Sequence, residues 1–328
     1  MMRAGMVWIK RMPWLWTSFL AVGLLWALYL LGWFSAPRPW QESTGWDRVD
    51  PALLPGPYEP GDNDPWIRWL GHSGFVVYWH GTTLLLDPNL SKRCTVSRRV
   101  MQVPAFDGTP TPSSALISHA HFDHLNQDTL VSLKGLRDVF VPRGSETFLD
   151  RVTARGLAVK PVDIGASFVV GSLRITPVRS AHNGNRFHPL RSRFDAIGYM
   201  IQAPDGRTLY YAGDTAYGGM DWESMRDRFH PDIAILPIGA YAPRIPLKYH
   251  HLNPEEAVMV AERLGVGRVI PCHFGTFTLS FDRPQSALPR FAAAARGQPF
   301  AWSMPPWMES GDLDRMLASR QTNNLEDH

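Results

Sequence analysis

At 328 residues with 45% hydrophobic content, the chain can bury a sizeable core. Its formal net charge of +3 is spread along the sequence, without the Lys/Arg block that tracks nucleic acid, so no nucleic-acid partner is expected. Two cysteines, Cys94 and Cys272, exclude a disulfide framework.

The segment Trp14–Phe34 holds 21 residues without a charge. As a helix it would span roughly 31 Å, against a hydrocarbon core of about 30 Å. Trp8, Trp14 and Trp16 flank one end and Trp33 and Trp40 the other, as interfacial belts do. Arg3, Lys10 and Arg11 precede it, which predicts a cytoplasmic N-terminus and a single-pass inner-membrane anchor. The domain that follows would then face the outer, periplasmic side. A cleaved signal peptide is the alternative, with Ser35-Ala36 as the only small-residue site and Pro37 directly behind it. Residues 35–65 carry prolines at 37, 39, 51, 55, 57, 60 and 65, a density that forbids helix and reads as an extended linker.

From Trp66 the chain alternates strands and helices. Trp66–Leu70, Gly74–Tyr78 and Thr83–Asp87 read as successive antiparallel strands with turns at Gly71 and Gly81. Ser114–Ser118 reads as a buried strand and Asn126–Leu133 as a short helix. Ser145 is expected to cap a helix reaching about Arg155. After Val159–Pro161, hairpins are expected at Phe168–Val170 with Arg174–Val178, over Gly171, and at Ile197–Gln202 with Thr208–Ala212, over Asp205-Gly206. Asp221–Phe229 reads as helix, and Asp232–Leu236 and Arg268–Cys272 as strands. Asn253, Pro254 and Glu255-Glu256 spell a helix start, and Gly265 its end. Ala287–Ala295 is the last expected helix. The division is therefore 1–34 anchor, 35–65 linker, 66–305 globular domain and 306–328 tail.

Between the expected strand at 114–118 and the helix at 126 lies His119-x-His121-x-Asp123-His124, three imidazoles and a carboxylate in six residues. Neutral imidazole and carboxylate are ligands for borderline-soft divalent metals such as zinc. More candidates lie near the ends of later strand-like runs: His182 after Val178, with His188 as a rival; Asp214 after Gly213; and His273 after Cys272, with His250 and His251 as rivals. Cys272 should face away from its neighbour's side of the strand. His72, after Gly71, reads as structural or as a support for the ligands.

These residues and their surroundings resemble the metallo-β-lactamase-fold hydrolases. Within that superfamily the chain is similar to the N-acyl-phosphatidylethanolamine-hydrolysing phospholipase D branch. The resemblance rests on Trp69-Leu-Gly-His72, Leu86-Asp-Pro88, the His119–His124 cluster, Tyr211-Ala-Gly-Asp-Thr215, Pro237-Ile-Gly-Ala-Tyr241, Lys248-Tyr-His-His251, Asn253-Pro-Glu-Glu-Ala257 and His273-Phe-Gly-Thr-Phe277. It implies an α+β, four-layer αβ/βα sandwich with the metal site on a shared sheet edge. It also implies two divalent ions, most simply zinc. One would be held by His119, His121 and His182, the other by Asp123, His124 and His273, with Asp214 bridging. Two such cations about 3.5–4 Å apart activate water and clamp a phosphodiester. Asp123 and His251 are the expected catalytic groups, and Tyr241, Arg244 and Lys248 the expected phosphate or headgroup contacts. The implied activity is phosphodiester hydrolysis in a phospholipid headgroup at a membrane. A lactonase or amidase on the same fold, or a membrane protein holding zinc structurally, are the alternatives.

Overall fold

The computed structural model describes residues 63–95, 97–100, 112–186, 195–283 and 286–304, with Leu20 and Gly23. The expected linker up to residue 62, the expected tail and His188 lie outside those residues. So does the Trp14–Phe34 segment, apart from Leu20 and Gly23.

In chain order the strands are β1 (Trp66–Gly71), β2 (Gly74–Trp79), β3 (Thr82–Leu86), β4 (Arg93–Cys94), β5 (Ser97–Arg98), β6 (Ser114–Leu116), β7 (Asp138–Pro142), β8 (Ala158–Val162), β9 (Phe168–Val170), β10 (Leu173–Asn183), β11 (Asp195–Gln202), β12 (Thr208–Tyr211), β13 (Ile233–Pro237), β14 (Arg268–Cys272) and β15 (Ala301–Trp302). The helices are α1 (Gln127–Ser132), α2 (Asp150–Ala154), α3 (Trp222–Phe229), the short turn α4 (Arg244–Leu247), α5 (Pro254–Leu264) and α6 (Ala287–Ala294).

Two mixed sheets result. The first runs β1-β2-β3-β6-β7-β8 and the second β15-β14-β13-β12-β11-β10-β9. Strand parity explains how they stack. Leu84 and Leu86 of β3, with Phe75 and Val77 of β2, enter a core shared with Ile197, Tyr199 and Ile201 of β11. Leu85 and Val76 point the other way, against Leu130 of α1 and Val152 of α2. Burial on both faces is why these strands read as continuous apolar runs. On the outer face of the second sheet, α5 and α6 bury Val258, Leu264 and Phe291. The outcome is the αβ/βα sandwich. The first sheet is stitched to the second by Ile197 N–H donating to Ser118 O (3.0 Å) and Tyr199 OH donating to Ile117 O (2.7 Å).

Several local expectations differ from the structure. The helix expected from Ser145 to Arg155 is broken. Ser145–Phe148 is a 3-10 turn preceded by left-handed Gly144, and Leu149 (φ −123°, ψ 30°) leaves helical space before α2. Strand β10 extends through His182 to Asn183, five residues past Val178, because β11 continues to pair with it across a register shift. Strand β7 was not anticipated, since its apolar core is only Val139-Phe140-Val141 between Asp138 and Pro142. Parallel pairing with β6 and β8 on both sides makes it.

The expected localisation, a single-pass inner-membrane protein with a periplasmic catalytic domain, is corrected. Among the described residues no helix is long and apolar enough to cross a membrane. The longest helix whose bounds are described, α5, has 11 residues. That gives about 16 Å of rise where a span needs about 30 Å. The transmembrane helix in the expected fold class lies outside the described residues, apart from Leu20 and Gly23.

Candidate metal centre

Each donor-bearing residue leaves the sheet at a place the fold fixes. The His119–His124 segment follows parallel strand β6, Asp214 follows β12 and His273 follows β14, while His182 projects from the end of β10. Backbone geometry is unusual here. Asp87, His72, Ala240 and His273 all have positive φ (36°, 55°, 57° and 60°) although none is glycine. Non-glycine residues in this region are uncommon and cluster at functional sites.

Asp214 lies at the centre. Its Oδ2 is 3.1 Å from His273 Nε2, 3.3 Å from His124 Nε2, 3.7 Å from His251 Nδ1, 3.8 Å from His182 Nε2 and 4.0 Å from His119 Nε2. On one side, His121 Nδ1 lies 2.9 Å from His119 Nε2 and 3.1 Å from His182 Nε2. On the other, Asp123 Oδ2 lies 3.4 Å from His273 Nε2 and 3.5 Å from His124 Nε2. The geometry therefore gathers the seven expected ligands into two donor groups that meet at Asp214. It adds two residues that the sequence did not assign to the donor set. His251 groups with His182 and Asp214, and His72 with Asp123, His124 and His273.

The donor chemistry fits a cation. His124 Nε2, His273 Nε2 and both Asp214 carboxylate oxygens are buried without a hydrogen-bond partner. Such orphaned donors and acceptors are costly unless something satisfies them. A divalent ion, with these nitrogens and oxygens as ligands, does so.

Surrounding hydrogen bonds fix which nitrogen each ring presents. His182 Nδ1 lies 2.8 Å from the His250 carbonyl. A carbonyl only accepts, so Nδ1 carries the proton and Nε2 is bare. His124 Nδ1 donates to Asp87 Oδ2 at 2.6 Å, again freeing Nε2. His119 Nδ1 donates to Ser118 Oγ (2.9 Å), whose own hydroxyl donates to Asp87 Oδ2 (2.5 Å). Asp87 also accepts from Ser118 N–H at 2.7 Å and from Tyr211 OH at 2.6 Å. Fully buried, Asp87 thus orients two of the motif histidines, the arrangement of a metal site with a supporting carboxylate. Only Leu86-Asp-Pro88 as a motif hinted at it in the sequence.

Charge in the ion-free site is shared out. Burial works against protonation of His273, but Asp214 and Asp123 outweigh it and raise it to about 9. Burial likewise opposes charge on His124, and Asp214, Asp123 and Asp87 overcome it. Burial holds His72 and His251 neutral, each lowered to about 3. It also lowers His119 and His182. Burial would raise Asp123 and Asp214, yet the surrounding histidines keep both ionised.

The expected substrate contacts are placed as follows. Tyr241 is buried, its hydroxyl 2.7 Å from Ser286 Oγ and its ring beneath the Arg290 guanidinium. Arg244 pairs with Glu256 and donates through Nη1 to the His251 carbonyl at 2.9 Å, so it holds the His251 loop. Lys248 is exposed, its Nζ 4.9 Å from the Tyr249 ring. Neither cysteine falls in a donor group; Cys272 is in the apolar core.

Fold and donor set together define a metal-dependent hydrolase. The chain belongs to the β-lactamase superfamily: the Beta-lactamase superfamily domain matches residues 82–274 of it. It is 29% identical to a metal-dependent hydrolase of Pyrobaculum arsenaticum over 251 residues, covering 75% of this chain and 98% of that one. It is 30% identical over 233 residues to an N-acyl-phosphatidylethanolamine-hydrolyzing phospholipase D of Caenorhabditis elegans, covering 64% of each chain. Among solved structures, it shares its fold with a metallo hydrolase of Ignicoccus hospitalis (TM-score 0.54, 22% identity, 74% of this chain and 95% of that one). The same holds for an isothiocyanate hydrolase from Delia radicum gut bacteria (TM-score 0.57, 18% identity, 75% and 97%).

Proposed function

We propose that the chain is a binuclear phosphodiesterase of phospholipase D type, acting on N-acyl-phosphatidylethanolamine-like lipids. The observation that carries the binuclear reading is Asp214 Oδ2 standing between two imidazole-rich groups, within 4.0 Å of five imidazole nitrogens. His119, His121 and His182 would hold one ion, and Asp123, His124 and His273 the other, with Asp214 placed to serve both. Imidazole and carboxylate donors favour zinc. When bound, such ions supply Lewis-acid polarisation of the scissile ester and lower the pKa of water.

The chain's own residues do the rest. Ionised Asp123 orients the attacking water by accepting its hydrogen bond. His251, held neutral by burial, takes up a proton and returns it to the departing headgroup oxygen. Support for a lipid substrate comes from the resemblance of Pro237-Ile-Gly-Ala-Tyr241 and Lys248-Tyr-His-His251 to the phospholipase branch. It also comes from exposed apolar side chains: Ile245 and Tyr249 on the segment that carries His251, and Leu279 and Phe281 on a segment joined to it where Phe281 N–H donates to the Ala242 carbonyl at 2.9 Å. The proposed hydrolase domain is 66–305.

Elemental analysis of protein grown with ample metal should give two ions per chain. Phospholipid cleavage in ¹⁸O-water should place the label in phosphatidic acid and none in the released headgroup. His251→Ala should lower turnover by about 10²–10⁴-fold while keeping both ions. His273→Ala should lose activity and an ion together. Cleavage of a lactone or acyl amide, with no phosphodiester cleaved, would refute the lipid reading and leave the hydrolase.

A further inference from the structure

His72 lies outside the ligand set just described, yet its ring is 1% exposed and makes the shortest contact to Asp123. Its Nε2 stands 2.8 Å from Asp123 Oδ2, closer than either proposed metal-binding imidazole on that carboxylate. An ionised carboxylate only accepts, so His72 Nε2 carries the proton. A protonated nitrogen cannot coordinate a cation. His72 Nδ1 is buried with no partner, so the ring is held for what Nε2 does.

The backbone is arranged for the same end. His72 sits at φ 55° in the turn between β1 and β2, a conformation L-residues rarely adopt. Three hydrogen bonds keep it there. Its N–H donates to Thr276 Oγ1 at 2.6 Å, and its carbonyl accepts from Trp69 Nε1 at 2.8 Å and from His273 N–H at 3.0 Å. The last of these ties His72 to a proposed ligand that is itself at φ 60°. The two rings lie 4.0 Å apart and approach Asp123 together. A strained residue that the surroundings over-determine points to a role for its side chain.

We propose that His72 is the positioning residue for Asp123: its Nε2–H holds Oδ2 and thereby turns the carboxylate toward the ion shared with His124 and His273. This rests on the two-metal reading above.

The test compares metal affinity, read by competition with a chromophoric chelator, and the melting curve of the metal-free protein. His72→Asn is at ease in the left-handed conformation but too short to reach Asp123, while His72→Gln restores a donor near the Nε2 position. The expected result is a 10–100-fold weaker second ion in His72→Asn with its metal-free melting curve retained, and recovery to within a few-fold in His72→Gln. Should His72→Asn fail to fold, His72→Gly, which carries no left-handed penalty, replaces it. Loss in both His72→Asn and His72→Gln would make His72 a ligand and overturn the proposal. Undiminished binding in His72→Asn or His72→Gly would reduce it to packing and also overturn it. A wild-type count below two ions would instead refute the two-metal reading, and this inference with it.

Discussion

At the scale of single residues, Asp87 decides how two of the histidines face. It accepts directly from His124 Nδ1 and, through Ser118 Oγ, from the chain that begins at His119 Nδ1. Asp87→Asn keeps the volume but brings an amide N–H₂ into a place where donors already converge. It should weaken metal binding about 10–100-fold, as loss of supporting carboxylates does, and calorimetric titration of the metal-free protein would show it. The cluster itself was legible because its ligands are contiguous. Asp87 was legible only as part of Leu86-Asp-Pro88, and His72 only as structural or supporting, because their partners lie 37 and 51 positions away, which no local pattern encodes. The metal-free protein should also show a stability maximum near pH 6.5. His273, raised to about 9, contributes stability that is complete below 6.5 and is lost as pH rises through 9. His72 and His251, lowered to about 3, remain neutral in the fold while the unfolded chain takes up protons below 6.5. Stability therefore also falls as pH drops from 6.5 toward 3. Melting temperatures across pH 4–10 in chelator should trace that dome; a monotonic curve would contradict the charge assignment.

At the scale of elements, the site depends on how closely strand ends approach. A Cβ at Gly239, just past β13, would stand 2.0 Å from the His273 carbonyl oxygen. Backbone meets backbone there, so a flexible side chain cannot move aside. Gly239→Ala should destabilise by about 1–3 kcal/mol or more and shift His273, with chemical denaturation and metal stoichiometry as the readouts. Helix starts were legible where the signal is local. Asn253 accepts from Glu256 N–H at 2.8 Å and Glu256 answers to Asn253 N–H at 3.1 Å, so Asn253→Ala should cost about 1 kcal/mol in the same denaturation measurement. Strand extents were not legible where partners set them. β10 carries His182 because β11 runs beside it, and β7 exists because β6 and β8 flank it. The Ser145 helix failed for a related reason, since left-handed Gly144 and non-helical Leu149 answer to tertiary placement.

At the scale of the whole molecule, the donors come from both halves of the sandwich. Asp123 and His124 belong to the half built on the first sheet, and His182, Asp214 and His273 to the half built on the second. The sandwich class was legible through the family resemblance, and the alternating strands and helices, with strands apolar on both faces, agree with it. That the centre would lie across the two halves depends on the fold bringing together residues 58 or more positions apart, His124 and His182 being the least separated. Ions bound there add a cross-link that the unfolded chain cannot form. Without them, the carboxylates and charged histidines offset one another only in part, and the orphaned atoms of Asp214, His124 and His273 remain buried. Removing metal should therefore lower stability globally, beyond the loss of a local loop. An ion at 100 times its dissociation constant contributes about 2.7 kcal/mol. For a domain of this size that corresponds to roughly 5–10 °C in melting temperature. Differential scanning fluorimetry with and without chelator should show a shift of at least that size, and zinc should reverse it. Asp214→Ala should have most of that shift already missing, because it removes the one carboxylate that both groups face. If the full shift persisted in Asp214→Ala, the ions would be held within one half alone, and the shared position assigned to Asp214 would be wrong.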